Sequence, residues 1–278
     1  MNRIITQSYL DRFQDHLRRE EKSPVTVEKY LRDVRAFLAF AGERVVTKEL
    51  VIAYKQDLVR RGYAVRSINS MLASLNSLLR FLGWEDCKTR SIRQQRQTYC
   101  AQERQLTREE YLRLLEAARS RPRLYYLLQT ICATGVRVSE IQYFTLEAVK
   151  RGQVIIRCKN KTRTILIPGK LRGYLLRYAG KQKIRSGPIF VSRNGRPLDR
   201  SAIWTQMKGL CLAANVAPGK VFPHNLRKLF ARTFYGMEKD IAKLADILGH
   251  SSIDTTRIYI MSTGEEHLRK IERLGLVV

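Results

Sequence analysis

The sequence predicts a mainly α-helical protein with one small antiparallel β-sheet (α+β), built as two domains joined by a basic linker. Three observations carry this. Apolar residues return at spacings of three and four through most of the 278 residues. One stretch, 152–168, holds two β-rich runs and reads as a hairpin. Between residues 87 and 106 the hydrophobic periodicity lapses, and the segment KTRSIRQQRQTYCAQER carries five basic residues and one acid with no Gly or Pro. That composition suits an extended linker able to follow a phosphate backbone.

Residues 1–86 read as a bundle of four short amphipathic helices. Leu10, Phe13 and Leu17 mark the first. Ser23 and Pro24 open the second, which carries Val27, Leu31, Val34 and Phe37 and ends near Gly42. A third runs from 48 to 61 and stops at Gly62; a fourth runs from 67 to 82 and stops at Gly83. Outward positions hold Arg18, Arg19, Lys22, Lys29, Arg32, Arg35, Lys55, Arg60, Arg61 and Arg66, with few acids to offset them. A nucleic-acid-facing side is the expectation.

The second domain, 107–278, opens with a capping box, Thr107 with Glu110. A buried helix follows from 124 to 134 and closes at Gly135, and another helix is expected to start at Val136-Arg137-Val138-Ser139-Glu140-Ile141. In the hairpin the strands are 152–157 and 163–168, with Lys161 at the turn. A helix follows at 171–178, then a short strand at 188–192 and a turn at 193–196. Asp199 should cap a helix running to about Ala214. Beyond Pro223 the pattern is helical at 224–235, 239–248 and 252–261, with a tail helix at 265–274.

Lys plus Arg number 52 against 25 Asp plus Glu, a formal charge of +27. Such an excess, spread along the chain, points to a long polyanion touched at many points. There is no run of eighteen apolar residues and no signal-peptide pattern at the N-terminus, so a cytoplasmic protein is expected. The five cysteines form neither a disulfide framework nor a zinc pattern and are expected to be reduced thiols. No acidic cluster suits magnesium and no Gly-rich loop precedes Lys-Ser or Lys-Thr, so neither a metal, a nucleotide nor another cofactor is expected.

Six residues of the second domain fit one reaction: Arg137, Lys161, His224, Arg227, His250 and Tyr259. A phenol has a pKa near 10 and is a poor nucleophile unless cations and a base assist it. Its attack on a phosphodiester gives a phosphorane with about two negative charges, which guanidiniums can grip in a forked geometry. His224 and Arg227, three apart, share a helix face. A lysine on a hairpin can protonate the leaving oxygen, and an imidazole can accept the phenol proton.

These residues resemble the tyrosine recombinase family, also called the phage integrase family, with its Xer and integrase members. Ala133-Thr134-Gly135-Val136-Arg137-Val138-Ser139-Glu140-Ile141 is similar to the family's first-arginine box. His224-Asn225-Leu226-Arg227 resembles its His-x-x-Arg box, Leu248-Gly249-His250 its third box, and Tyr259 stands at the nucleophile's place. Lys161 corresponds to the hairpin lysine, although the hairpin lacks the glycines common there, and Lys228 stands where a His is frequent.

The resemblance implies a SAM-like core-binding domain over 1–86, a catalytic domain over 107–278, and site-specific DNA recombination through a 3′-phosphotyrosine bond, without metal or ATP. It makes Tyr259 the nucleophile, Arg137 and Arg227 phosphate ligands, Lys161 the general acid, His224 the proton acceptor and His250 a phosphate ligand, with Glu140 supporting them. Arg66, Arg90, Arg93, Arg96, Lys159 and Lys228 are expected DNA contacts. The implied partner is double-stranded DNA, held in a C-shaped clamp. The protein would be monomeric when free and tetrameric on two sites, its tail helix docked on a neighbouring protomer, and accessory DNA-bending proteins are compatible with this. Tyr259 is expected to lie away from the arginines when no DNA is bound. Two other readings stay open at this point: a DNA-binding protein without catalysis, and a type IB topoisomerase that only relaxes supercoils.

Overall fold

Side chains that satisfy orphan backbone donors mark the start of many helices of this chain. The computed structural model describes residues 3–94, 105–158, 161–192 and 194–276, and for residues 158, 161 and 270 the backbone alone. The chain divides into two compact units, Met1–Arg96 and Gln97–Val278, each with its own core.

In the first unit the helices are α1 (Gln7–Arg19), α2 (Pro24–Ala41), α3 (Lys48–Arg60) and α4 (Val65–Phe81). Ser23 Oγ accepts from the Thr26 amide at 3.3 Å and Thr47 Oγ1 from that of Leu50 at 3.2 Å, each satisfying a first-turn donor. The apolar faces meet in two neighbouring clusters. Phe37, Val51, Tyr54, Leu72 and Leu75 form one, and Leu10, Phe13, Leu17, Val34 and Leu78 the other. Buried Asp33 on α2 would be costly alone. It is paired with Lys29 at 2.6 Å and accepts from Ser74 Oγ on α4 at 2.9 Å.

The start of the expected linker is docked on α4. Asn76 donates through Nδ2 to Thr89 O at 2.8 Å and accepts from the Thr89 amide at 3.1 Å. Asn69 does the same with Ile92, at 3.0 and 2.8 Å. Seven helical residues rise about 10.5 Å and three extended residues span about 10 Å, so the two amides meet the two peptides in register. Lys55 adds a bond from Nζ to Arg90 O at 2.9 Å. Residues 88–94 thus belong to the first unit; 95–104 lie outside the described residues.

The second unit contains α5 (Arg108–Ala117), α6 (Pro122–Thr134), a 3-10 helix (Val138–Tyr143), α7 (Leu146–Arg151), β1 (Gln153–Cys158), β2 (Lys161–Leu166) and α8 (Gly169–Lys181). After these come α9 (Arg200–Lys208), α10 (Cys211–Ala214), α11 (Pro223–Glu238), α12 (Ile241–Leu248), α13 (Ile253–Ile260) and α14 (Gly264–Glu272). The Thr107–Glu110 capping box forms. Its core gathers Ile131, Phe144, Leu175, Phe190, Met207 and Leu226, while Ala231, Leu244, Leu248 and Tyr259 form a smaller cluster at the site end.

Several expectations are corrected. Cys158 pairs with Lys161, so Lys161 is the first residue of β2 and not part of the turn; the β-branched Thr162 and Thr164 extend the ladder. The short strand at 188–192 is reduced among the described residues to the bridges Thr145↔Pro188 and Val191↔Pro197, since proline offers no N–H to continue a ladder. The helix after Val136 is a 3-10 helix, ended before Thr145 caps α7. The helix from Asp199 breaks after Lys208 at Gly209, a residue costing about 1 kcal/mol in a helix relative to Ala. Cys87, Cys132 and Cys211 are free thiols. No described helix is long and apolar enough to cross a membrane.

Replacing Asn76→Ala or Asn69→Ala should each remove one paired amide contact and weaken the docking by about 1–2 kcal/mol. Amide hydrogen exchange should accelerate at Thr89 in the first variant and at Ile92 in the second; unchanged exchange at both would contradict the docking.

Candidate active site

The end of α12 is the hub of the site. A helix leaves its last carbonyls without intrahelical partners and carries partial negative charge there. Here Gly249 takes a left-handed conformation, φ 63°, and the amides of Gly249 and His250 return to Asp246 and Ala245 at 2.9 Å each. The next three carbonyls each receive a guanidinium. Arg163 of β2 donates Nη1 to Ile247 O at 3.2 Å, Arg227 of α11 donates Nη2 to Leu248 O at 2.7 Å, and Arg137 donates Nη2 to Gly249 O at 2.9 Å.

Arg137 sits just after α6, whose end is turned by Gly135 with φ 62°. A Cβ at Gly135 would come within 2.5 Å of Phe230 Cδ1, so only glycine fits there. The Gly135 carbonyl accepts a second Arg227 bond, from Nη1. Among the described residues, Glu140 supplies the carboxylate that pairs with these cations. It accepts from the Arg137 amide at 2.9 Å and from Arg137 Nη1 at 3.0 Å, and forms an ion pair with Arg163 Nη2. Three guanidiniums against one carboxylate leave two positive charges.

Tyr259 of α13 is 8% exposed, and its ring lies edge-on to both imidazoles, with centroids 4.9 Å from His224 and 4.8 Å from His250. Its hydroxyl is 3.5 Å from His224 Nδ1, a long contact, and the Arg227 guanidinium carbon lies 5.7 Å from its ring centre. The expectation that Tyr259 lies away from the arginines is therefore corrected. Its ring closes an apolar cluster with Ala231, Leu244 and Leu248, and that burial holds it in place.

His250 Nε2 is 3.0 Å from Arg227 Nη2, which can only donate, so Nε2 accepts and Nδ1 carries the proton toward Thr256 Oγ1 at 2.9 Å. Partial burial first, and then the charges of Arg227, Arg137 and Arg163, push the His250 pKa down to about 4. His224 is likewise pushed down to about 4, by desolvation and then by Lys228, Arg227, Arg200 and Arg137. Both rings are neutral at physiological pH. Arg227, 1% exposed, has its pKa lowered to about 10, mainly by burial and then by Arg137. It stays charged, as does Arg163, which burial also shifts downward.

Arg137, Glu140, His224, Arg227, His250 and Tyr259 thus converge. Lys161 occupies the same strand parity as Arg163, two residues away. Lys228 is near enough to His224 to depress its pKa. Arg66, Arg90 and Arg93 are exposed in the first unit, Arg66 on a groove it shares with Lys29, Arg32 and Tyr63, whereas Arg96 and Lys159 lie outside the described residues. Two participants escaped the sequence reading. Arg163 shares its parity along the chain with the core residues Ile165 and Ile167, and a charge at an inward strand position was the available signal. Thr256 lies one helical turn before Tyr259 on the same face of α13.

Residues 104–266 match the phage integrase family, and residues 10–86 match the phage integrase N-terminal SAM-like domain. The chain is 31% identical to tyrosine recombinase XerA of Thermococcus kodakarensis over 279 residues, covering 97% of this chain and 95% of the relative. The chain belongs to the phage integrase family. It is a tyrosine-type site-specific recombinase. A crystal structure of XerA recombinase superposes over 99% of this chain and 100% of that one, with TM-score 0.54 and 25% identity. The lambda integrase tetramer bound to a Holliday junction shares the fold, at TM-score 0.74 and 19% identity, over 92% of this chain and 77% of that one.

Both histidine pKa values lie below the unfolded value of about 6.5. Between about pH 6.5 and 4 the unfolded chain therefore binds more protons, and stability falls as pH drops through that window. NMR titration of the free recombinase should find His224 and His250 neutral until about pH 4; midpoints near 6.5 would refute the neutral assignment.

Proposed function

We propose that this recombinase cleaves and rejoins duplex DNA with Tyr259 as nucleophile. The observation that carries this reading is the Tyr259 hydroxyl facing a neutral His224 nitrogen inside a cluster of three guanidiniums. The Tyr259 oxygen attacks the scissile phosphorus, its proton passing to His224. Arg137 and Arg227 stabilise the phosphorane, whose charge of about two negatives equals the surplus of the cluster. The bond to the 5′ oxygen breaks, Lys161 protonates that oxygen, and a 3′-phosphotyrosine bond conserves the energy for rejoining. A free 5′-hydroxyl from the partner strand then attacks the phosphotyrosine, and Tyr259 is released with its proton restored. No metal or ATP enters the reaction.

Arg227 is buried beneath Tyr259, so its grip on phosphate needs a shift of Tyr259 and α13. The same shift would part His250 Nδ1 from Thr256 on α13, letting the ring take the Nε2–H tautomer that can donate to phosphate. Glu140 orients Arg137 in this scheme.

We place core binding in 1–86 together with the docked residues 88–94, the linker in what remains of 87–106, and catalysis in 107–278, with the two domains clamping DNA. Arg66, Arg90, Arg93, Arg96, Lys159 and Lys228 contact its backbone or bases. The lambda integrase tetramer on a Holliday junction supports four protomers on two sites. Exposed Leu268, Ile271, Leu274 and Leu276, on and just beyond α14, suit docking on a neighbouring protomer. The protein works in the cytoplasm, with or without DNA-bending helpers.

Tyr259→Phe should abolish covalent protein–DNA adducts on a nicked suicide substrate while leaving duplex binding within about twofold; surviving adducts would remove Tyr259 from its role. With two copies of the target site, the unmodified protein should give recombinant junctions. Relaxation of supercoils without junctions would favour a topoisomerase.

Affinity should fall by roughly 0.9 log unit per log unit of salt for each phosphate contacted. A nearly flat response between 50 and 200 mM salt, about the usual range for such titrations, would contradict the clamp.

A further inference from the structure

Arg163 has no part in the chemistry proposed above, yet it is 14% exposed by side chain and spends both terminal nitrogens on the site's framework. Nη2 pairs with Glu140, the carboxylate that also grips Arg137, and Nη1 holds Ile247 O at the end of α12. Space for it comes from Gly249, where an added Cβ would lie 2.5 Å from Arg163 Cδ.

Its place in the hairpin suggests what it does. Arg163 pairs with Ile156 across the ladder, and Cys158↔Lys161, two positions on, is the last pair before the tip. Residues two apart on a strand lie about 6.6 Å apart along the backbone. Arg163 is therefore the inward position next to Lys161, and its fork ties the tip of the hairpin to the elements that carry Arg137 and His250.

We propose that Arg163 is a positioning residue that docks the β1–β2 hairpin on Glu140 and the end of α12, so that the hairpin lysine reaches the leaving oxygen. This rests on the reading of Lys161 as general acid.

The test compares single-turnover cleavage of two nicked suicide duplexes, one with the natural 5′ oxygen at the scissile bond and one with sulfur there, which departs without a proton. Arg163→Ala should slow the oxygen substrate by roughly 10²-fold, the scale of a lost general acid, and the sulfur substrate by less than about threefold. Arg163→Lys, which keeps the charge but lacks the fork, should fall between Arg163→Ala and the unmodified protein on oxygen. Equal slowing on both substrates, as a loosened fold or lost phosphate grip would give, overturns the proposal, and so does an unimpaired oxygen reaction. If Arg163→Ala does not fold, Arg163→Lys and Arg163→Gln carry the same comparison.

Lys161→Ala and Lys159→Ala run in parallel. If Lys161→Ala or Lys159→Ala is rescued by sulfur and Arg163→Ala is not, the positioning role alone fails. Should neither lysine variant be rescued, the hairpin acid is wrong and this inference falls with it.

Discussion

Three guanidiniums meeting at the C-terminus of one short helix is the constraint on which this site depends. Gathering cations in a partly dry place is unfavourable unless each is paired and hydrogen-bonded. The end of α12 meets part of that demand with carbonyls that need donors in any case and a dipole whose negative end faces the cluster. Glu140 meets another part. The arrangement is mutual: the arginines cap α12, and α12 holds the arginines at fixed spacing before any phosphate arrives. On the proposed reading, a phosphodiester meets cations already gathered, which is where electrostatic catalysis gains most, although Arg227 is reached only once Tyr259 has shifted.

The same cluster helps to decide the state of the histidines. Burial first, and then the cations around His224 and His250, depress both pKa values to about 4, so neither ring is an acid at neutral pH. A neutral His224 can accept a proton. His250, tied through Nε2 to Arg227 and through Nδ1 to Thr256, instead links α11 to α13. The proton needed by the leaving oxygen must then come from another group, the part proposed above for the hairpin lysine.

The helices of both units were legible because their apolar spacing, caps and glycine stops agree with one another; Ser23, Thr47, Thr107 and Gly135 act as the rules predict. That Arg137, Glu140, His224, Arg227, His250 and Tyr259 should converge was legible from their types and order. What escaped was set by contacts distant in sequence. Arg163 is separated from Ile247 by 84 residues, and nothing local shows that its inward place is filled by a carboxylate and a carbonyl. The docking of residues 88–94 depends on Asn69 and Asn76, which within α4 look like ordinary polar positions. The two prolines that reduce the strand at 188–192 to bridges do so by withholding donors, a cost that hydropathy does not register.

Tyr259 illustrates how a helix can be both seated and movable. α13 has eight residues, too few to be stable by itself, so its position depends on Tyr259 and Thr256 beneath it. Its hold consists of one buried aromatic ring, edge contacts to two imidazoles and an arginine near the ring face, interactions of about 0.5–2 kcal/mol each beyond the area buried. Arg227 lies at 1% exposure under that ring, so phosphate and tyrosine compete for the same guanidinium. On the proposed reading, the phosphodiester anion that arrives with DNA is a stronger partner for the Arg227 guanidinium than the face of a phenol. The tyrosine would then be displaced by the phosphate it is to attack, and the contact that stores it in the free protein would be one that DNA binding replaces.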